Sequence, residues 1–363
     1  MNAAGAQSAL VRLMAGLRAR GHVTETWFFY QEQDTFADHA GVKTFHPKAK
    51  LSAIDYAGLL PATLQRLRAF RPDAVITFLP LACIVGQAAA ALAGVKRRVA
   101  SLRTPPSTYS APLRTLDRAF GAMGVYTDIV AVSNGVRNDV ATYPAAYRKK
   151  LSVVHNGIDW TPSPLSAAEA RSRFGIPDDA FLLVASGRMK AQKRYSAMLD
   201  IVHAQPGVRL AIAGDGPLQR SLAQQRDALG LTKRVTFLGA LKKAEMPHLL
   251  RAADAFIQTS GFEGQSNAIL EAMHEGLPIL ASDIPTQRET LCDGNGAAYG
   301  VLAPLDDQGA WVAALVRLQQ DAAYRAALAE GARSHVEKSF TLNAMIDGFE
   351  RIALGQAGSR AHA

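Results

Sequence analysis

Five short apolar runs recur through the second half of the chain: FLLVAS (181–186), VRLAIAG (208–214), RVTFLG (234–239), AFIQTS (255–260) and PILAS (278–282). Stretches with helical character separate them. Strands that alternate with helices of about ten to fifteen residues argue for parallel sheets built from βαβ units. The first half repeats the alternation less regularly, with a helical SALVRLMAGLRARG and the strands AVITFL (74–79), RRVASL (97–102) and DIVAVS (128–133). A chain of 363 residues is too long for one core and suits two domains. The expected fold class is α/β with two Rossmann-like domains, over residues 1–160 and 161–339, and a helical tail, FTLNAMIDGFERIAL, within 340–363. Pro162 and Pro164 punctuate NGIDWTPSPLSAAEARSRFG, which places the linker near 157–166. One element is out of place. A Rossmann half opens with a strand feeding its first glycine turn, yet NAAGAQS runs straight into a helix. Either residues upstream of Met1 supply that strand, the reading favoured here, or the sheet lacks it.

Bulk properties narrow the function classes. With 48% hydrophobic, 20% charged and 7% aromatic residues, the chain reads as an alanine-rich soluble protein and not a disordered one. Cys83 and Cys292 lie too far apart in the chain to offer a disulfide framework or a metal cluster, so a reducing cytosol is expected. The amino-terminal run carries arginines throughout and reads as an amphipathic helix rather than a signal peptide. The stretch from Leu79 to Val95 contains Pro80 and Gln87 and is too short and broken for a membrane span. The net charge of +9 is lopsided: residues 1–160 hold 19 Lys and Arg against 10 Asp and Glu, and the remainder holds 21 against 21. A basic half attracts phosphate-rich surfaces, nucleic acid or anionic lipid. It is equally a plain solvated face. There is no helix-turn-helix or zinc signature behind that charge, no P-loop, no Asp-x-Asp and no His/Cys grouping with metal spacing, so neither a nucleic-acid partner nor a metal is expected.

The richest stretch is SGFEGQSNAILEAMHEG (260–276). A strand end, a loop with Gly264 and Ser266, and a helix from about Asn267 present free N–H groups and a positive helix end at the carboxyl edge of a parallel sheet, where open α/β sheets bind ligands. Glu263 in the loop and Glu271 early in the helix could each grip a pair of vicinal hydroxyls, although two acids at this spacing also arise on solvated helices. In SGRMKAQKRY (186–195), Arg188 in the turn and Lys193 at a helix start could converge on a diphosphate, one as a fork and one as a point charge; the alternative is a solvated basic loop. AGDGP (213–217) is a glycine turn that permits close backbone approach but lacks the third glycine of a dinucleotide fingerprint.

EGQSNAILEAM followed by GLPILASDIPTQRE strongly resembles the glutamate pair of retaining family 4 glycosyltransferases. The resemblance covers nearly the whole chain and is most specific over 180–292. It implies the GT-B arrangement, two Rossmann-like domains facing across a cleft, with the donor nucleotide sugar on the second domain, the acceptor on the first, and the last helix returning to the first. The family's pattern gives Arg188, Lys193 and Glu263 the catalytic roles and puts the donor against Gly187, Gly214, Gly216, Leu238, Gly264, Ser266, Asn267 and Glu271. VSNGVRNDV (132–140) and HNGID (155–159) resemble the inter-domain region and read as architectural. Gly5 and Arg103 fall on the acceptor side; many members carry a histidine near Arg103, this chain has none there, and Arg103 is its candidate replacement.

The implied activity is metal-independent, retaining transfer of a hexose from a UDP- or GDP-sugar to a saccharide or lipid-linked acceptor, without a cofactor, in cell-surface polysaccharide or glycolipid synthesis. A place in the cytoplasm, at the inner face of the plasma membrane, goes with the basic first half. Two alternatives remain: a sugar-nucleotide epimerase of the same fold, and a non-catalytic nucleotide-sugar-binding protein.

Overall fold

The computed structural model describes residues 5–30, 39, 41–46, 51–178 and 180–356. It divides into two units, Gly5–Gly157 joined by the chain from Leu342 onward, and Ile158–Thr341.

The amino-terminal unit runs α1 (Gly5–Ala19), β1 (Thr26–Tyr30), β2 (Val42–His46), α2 (Ala53–Phe70), β3 (Ala74–Phe78), α3 (Pro80–Leu92), β4 (Arg97–Leu102), α4 (Ala111–Met123), β5 (Asp128–Ala131), α5 (Asn134–Asp139), α6 (Ala145–Arg148) and β6 (Leu151–Val153). Its strands form two separate parallel sheets, β1–β2 and β3–β4–β5–β6. Local chemistry sets the element ends. Ser52 and Asp55 make a reciprocal capping box at the start of α2. The Ser133 hydroxyl accepts from the Val136 amide to cap α5. Alternate strand residues face opposite layers: Phe78, Val99 and Val130 pack with α1, while Ala100, Leu102, Ile129 and Ala131 join Cys83 and Tyr147 on the other face. The strands TWFFY and VKTFH and the short β6 are additions to the sequence reading.

The second unit runs α7 (Ala167–Arg173), β7 (Phe181–Ser186), α8 (Tyr195–Ala204), β8 (Val208–Ala213), α9 (Gln219–Ala228), β9 (Val235–Gly239), α10 (Met246–Arg251), β10 (Ala255–Gln258), α11 (Asn267–Glu275), β11 (Ile279–Ser282), α12 (Pro285–Leu291), β12 (Val301–Ala303), α13 (Gln308–Gln320) and α14 (Ala322–Ser339). All six strands are parallel, in the order β12-β11-β10-β7-β8-β9. Central β7 is buried on both faces: Leu183 and Ala185 enter one apolar cluster, Leu182 and Val184 the other. The chain winds outward from β7 through β8 and β9, then restarts at β10 on the opposite side. The β7/β10 boundary is therefore the topological switch point, where sheets of this kind open a crevice beyond their carboxyl ends.

The last helix, α15 (Leu342–Ala353), belongs to the amino-terminal unit. Its Met345, Ile346, Phe349 and Ile352 share a cluster with Ala9, Leu13 and Leu17 of α1, and Phe349 lies 5.6 Å from Phe78 between ring centroids.

Candidate donor site at the switch point of the second unit

The chain leaves β7 through Gly187 and Arg188, makes a one-turn 3-10 helix over Ala191–Lys193, and enters α8 at Tyr195. It leaves β10 through Thr259 and Ser260 and reaches α11 after the loop that holds Glu263 and Gly264. Backbone and side-chain hydrogen bonds fasten these two loops together: the Gly261 amide donates to the Gln192 carbonyl at 2.8 Å, and the Thr259 hydroxyl bonds the carbonyls of Lys193 at 2.9 Å and Arg194 at 3.1 Å.

That fastening brings Lys193 and Glu263, 70 residues apart, into an ion pair with Nζ 2.6 Å from Oε1. Glu263 is only 7% exposed. The amide of buried Gln258, the last residue of β10, reaches the same carboxylate oxygen at 3.4 Å, and its Oε1 accepts at 2.7 Å from the Ser266 hydroxyl. Ser266 also caps α11, its Oγ accepting from the Ile269 amide. A relay of ammonium, carboxylate, amide and hydroxyl therefore ends on a helix N-terminus. The buried Tyr195 hydroxyl donates to the Gly187 carbonyl at 3.1 Å, and burial together with the Glu263 charge keeps it protonated far above the usual phenol range.

The glycine turn after β8 packs directly on the turn after β7. The Met189 amide donates to the Asp215 carbonyl at 2.7 Å and the Gly187 amide to the Ala213 carbonyl at 3.0 Å. Gly216, at φ +152°, sits so close that a Cβ would come 2.7 Å from both the nitrogen and oxygen of Met189; only glycine fits. Gly187 (φ 141°) and Gly214 (φ 149°) also occupy glycine conformations, and the Gly214 amide donates to the Gly239 carbonyl at 2.7 Å.

The residues singled out from the sequence thus divide. Gly187, Lys193, Glu263 and Ser266 meet at the switch point through the contacts above, with Gly264 in the same loop. Arg188 is exposed on the turn beside them. Asn267 opens α11, and Glu271 lies half-buried on its second turn. Lys193 closes the turn ahead of α8 instead of starting that helix. Gly214 and Gly216 hold the neighbouring loop in shape, and Leu238 lies near the end of β9, packed on the unit's apolar core.

The acceptor-side candidates belong to the other unit. Gly5 is the first residue of α1. Arg103, directly after β4, is 6% exposed; its guanidinium lies 4.4 Å from the Phe78 ring centroid and bonds the Asn156 side-chain oxygen. Burial and the neighbouring Arg12 charge lower its pKa to about 9. Sequence reasoning missed Gln258 and Tyr195. A polar residue closing an otherwise apolar buried strand was the available signal for Gln258. Among the described residues no group of three or more His, Cys, Asp or Glu is arranged to hold a metal.

Residues 3–162 match the glycosyltransferase family 4 model and residues 166–335 the model for glycosyl transferases group 1. The chain is 31% identical over 217 residues to the D-inositol 3-phosphate glycosyltransferase of Mycolicibacterium smegmatis, covering 57% of this chain and 48% of that protein. It is 29% identical over 203 residues to the lipopolysaccharide core biosynthesis glycosyltransferase LpsD of Rhizobium meliloti, covering 56% and 57%. It spans about half the length of the curated relatives it matches. In fold it is similar to Anabaena Alr3699/HepE, solved in complex with UDP-glucose, with a TM-score of 0.82 at 20% identity over 98% of this chain and 97% of that one. A sucrose-phosphate synthase from Thermosynechococcus elongatus superposes with a TM-score of 0.82 at 16% identity, over 98% and 94%. The fold class is the expected one, α/β with two Rossmann-like domains of the GT-B kind. With both halves matched, the chain belongs to the group 1 glycosyl transferases of glycosyltransferase family 4.

Proposed function

We propose that this protein transfers a hexose from a UDP- or GDP-sugar to a saccharide or lipid-linked acceptor, with retention of configuration and without a divalent metal, in the synthesis of a cell-surface polysaccharide or glycolipid. The observation that carries the reading is the Lys193–Glu263 pair at the switch point, with exposed Arg188 on the adjoining turn and the start of α11 beside it.

Breaking the bond between the sugar's anomeric carbon and the diphosphate builds positive charge on the carbon and negative charge on the leaving oxygens. Arg188, Lys193 and the amides at the start of α11 meet that negative charge with fixed positive groups. Glu263 and Glu271 hold sugar and ribose hydroxyls, which fixes the reacting carbon in place. The acceptor hydroxyl attacks from the face the diphosphate leaves. Its proton passes to a leaving phosphate oxygen, so no side-chain nucleophile is consumed. Gly5 and Arg103 receive the acceptor.

The relatives' names and the neighbour's bound UDP-glucose support a nucleotide-sugar donor and a glycolipid-type acceptor. No described helix is long and apolar enough to cross a membrane; the basic first half supports peripheral contact with an anionic inner membrane face.

The test is a transfer assay in chelating buffer with UDP- and GDP-hexoses against saccharide and lipid-linked acceptors, the product's anomeric configuration being read by proton NMR. The donor's configuration should be preserved at full rate in chelator. An inverted product, a strict metal requirement, or release of an altered sugar nucleotide without acceptor would each contradict the proposal.

A further inference from the structure

Charge in the amino-terminal unit is uncompensated at one place, the carboxyl edge of β3–β4–β5–β6. Arg103, directly after β4, takes its partners from three strand ends: the Phe78 ring at the end of β3, the Ser101 hydroxyl of β4 at 3.5 Å, and the Asn156 side-chain oxygen beyond β6. All three are neutral. Among the described residues no carboxylate pairs with this guanidinium, and the charge that bears on it is a second cation, Arg12 of α1, whose Nε and Nη2 are themselves buried. Arg171 shows how the same chain completes a guanidinium equally withdrawn from water: it pairs with Asp254 at 2.7 Å and donates to the carbonyls of Ala252 and Ala180, each at 3.0 Å. Withholding a cation from water is costly unless an anion or a full set of acceptors completes it. Two bonds to neutral oxygens leave most of the Arg103 fork unspent. The same edge carries backbone strain. Leu79, next to Phe78, holds φ 76° and ψ 148°, a conformation that favours glycine, and α3 starts from it at Pro80 with no side-chain cap, which adds the positive end of a helix.

We propose that the acceptor is anionic, with a phosphate or a carboxylate beside the hydroxyl that is glycosylated, and that Arg103, backed by Arg12, selects it. The inference rests on the transfer reading above, in which Arg103 stands on the acceptor side. A planar guanidinium matches two oxygens of a phosphate or carboxylate with parallel N–H bonds. Phe78 fixes the plane of the fork and Asn156 its rotation, so little side-chain freedom is lost when an anion arrives. A neutral saccharide in the same seat leaves two cations uncompensated. Selectivity therefore comes as much from rejecting the uncharged acceptor as from holding the charged one.

The test reads binding and its place, not turnover. Glucose 6-phosphate, glucuronate, glucose and inorganic phosphate are titrated into the whole chain and into Arg103→Gln, Arg103→Lys and Arg12→Gln, and amide hydrogen exchange locates each bound probe. One anionic sugar should bind at least tenfold more tightly than glucose and than inorganic phosphate, and slow exchange in the segments after β4 and β6; which of the two does so assigns phosphate or carboxylate. Arg103→Gln should abolish that preference, Arg103→Lys should restore only part of it, and Arg12→Gln should weaken it several-fold. Urea unfolding checks that each variant folds; if the Arg103 variants do not, the wild type and Arg12→Gln decide. UDP is the parallel probe, and the donor reading stands or falls on whether it protects the loops after β7 and β10. Equal affinity for charged and neutral sugars overturns the proposal, as does a preference that survives in the folded variants. So does inorganic phosphate that binds as tightly as the sugar phosphate, or protection by the anionic sugars confined to the second unit.

Discussion

Lys193 and Glu263 hold each other at 2.6 Å; on the proposed reading, a diphosphate taking the ammonium would compete with the carboxylate and free it toward the sugar. Removing one partner leaves the other poorly solvated. Lys193→Ala should lower stability by on the order of 2–3 kcal/mol, below the cost of breaking a fully buried pair, and weaken nucleotide-diphosphate binding at least tenfold. Glu263→Gln should weaken sugar-nucleotide binding relative to free nucleotide, whose hold on Lys193 no longer meets a competing carboxylate. In a double-mutant cycle read by urea unfolding, the pair of changes should cost less than the sum of the two singles; strict additivity would show that the pair carries no coupling. Gly216 makes a different demand. Its φ of +152° and the 2.7 Å approach to the Met189 backbone leave no room for a methyl group, so Gly216→Ala should lower stability by more than about 1 kcal/mol and loosen the turn that carries Arg188. An unchanged unfolding midpoint would remove glycine's structural role there.

At the scale of the element, α11 joins fold to site. Ser266 caps it and donates to Gln258, so Ser266→Ala costs about 1 kcal/mol for the cap and frees the amide that orients Glu263. Differential unfolding together with donor titration checks both, and a variant that loses neither stability nor affinity contradicts this account of the cap. The start of α11 at Asn267 and the strands β7 to β11 were legible in the sequence to within a residue or two, because long apolar runs between glycine turns leave little choice. The strands TWFFY and VKTFH were not, since aromatic and charged residues hide their alternation, and β12 is only three residues long. The Lys193–Glu263 contact was illegible for another reason. Both residues were candidates, but the pairing depends on β7 lying beside β10, a fact of topology and not of local pattern. Arg103 stood out as the residue leaving β4, while its burial against Phe78 is a packing outcome that sequence reading does not supply.

For the whole molecule, two bulk properties become measurable. Asp117 is buried in the amino-terminal unit with its carboxylate accepting from the Tyr147 hydroxyl at 2.9 Å, and burial raises its pKa from 3.8 to about 6. Between those values the folded chain keeps a proton that the unfolded chain has released, so this group's contribution to stability falls as pH rises through the window and is constant above it. The loss amounts to about 3 kcal/mol at most. Asp117→Asn should therefore gain stability relative to wild type from pH 4 to 6, as read by urea unfolding; a pH-independent difference would place the titration elsewhere. The surplus of positive charge lies in residues 1–160, and co-sedimentation with anionic vesicles should be strong at low salt and fade as the Debye length shortens. Failure to sediment at low salt would end the proposal of membrane contact.

The central claim, that the switch point of the second unit holds a nucleotide sugar through Lys193, Arg188 and the two glutamates, is tested most directly by calorimetry in chelating buffer. UDP, GDP, ADP and their hexose conjugates are titrated into the wild type and into Arg188→Ala, Lys193→Ala and Glu271→Ala. The account predicts that a UDP or GDP series binds without metal, that each substitution weakens it at least tenfold, and that Glu271→Ala acts on the nucleotide as well as on its sugar conjugate. A folded wild type that binds none of these ligands, or binds one with an affinity indifferent to all three substitutions, would contradict it.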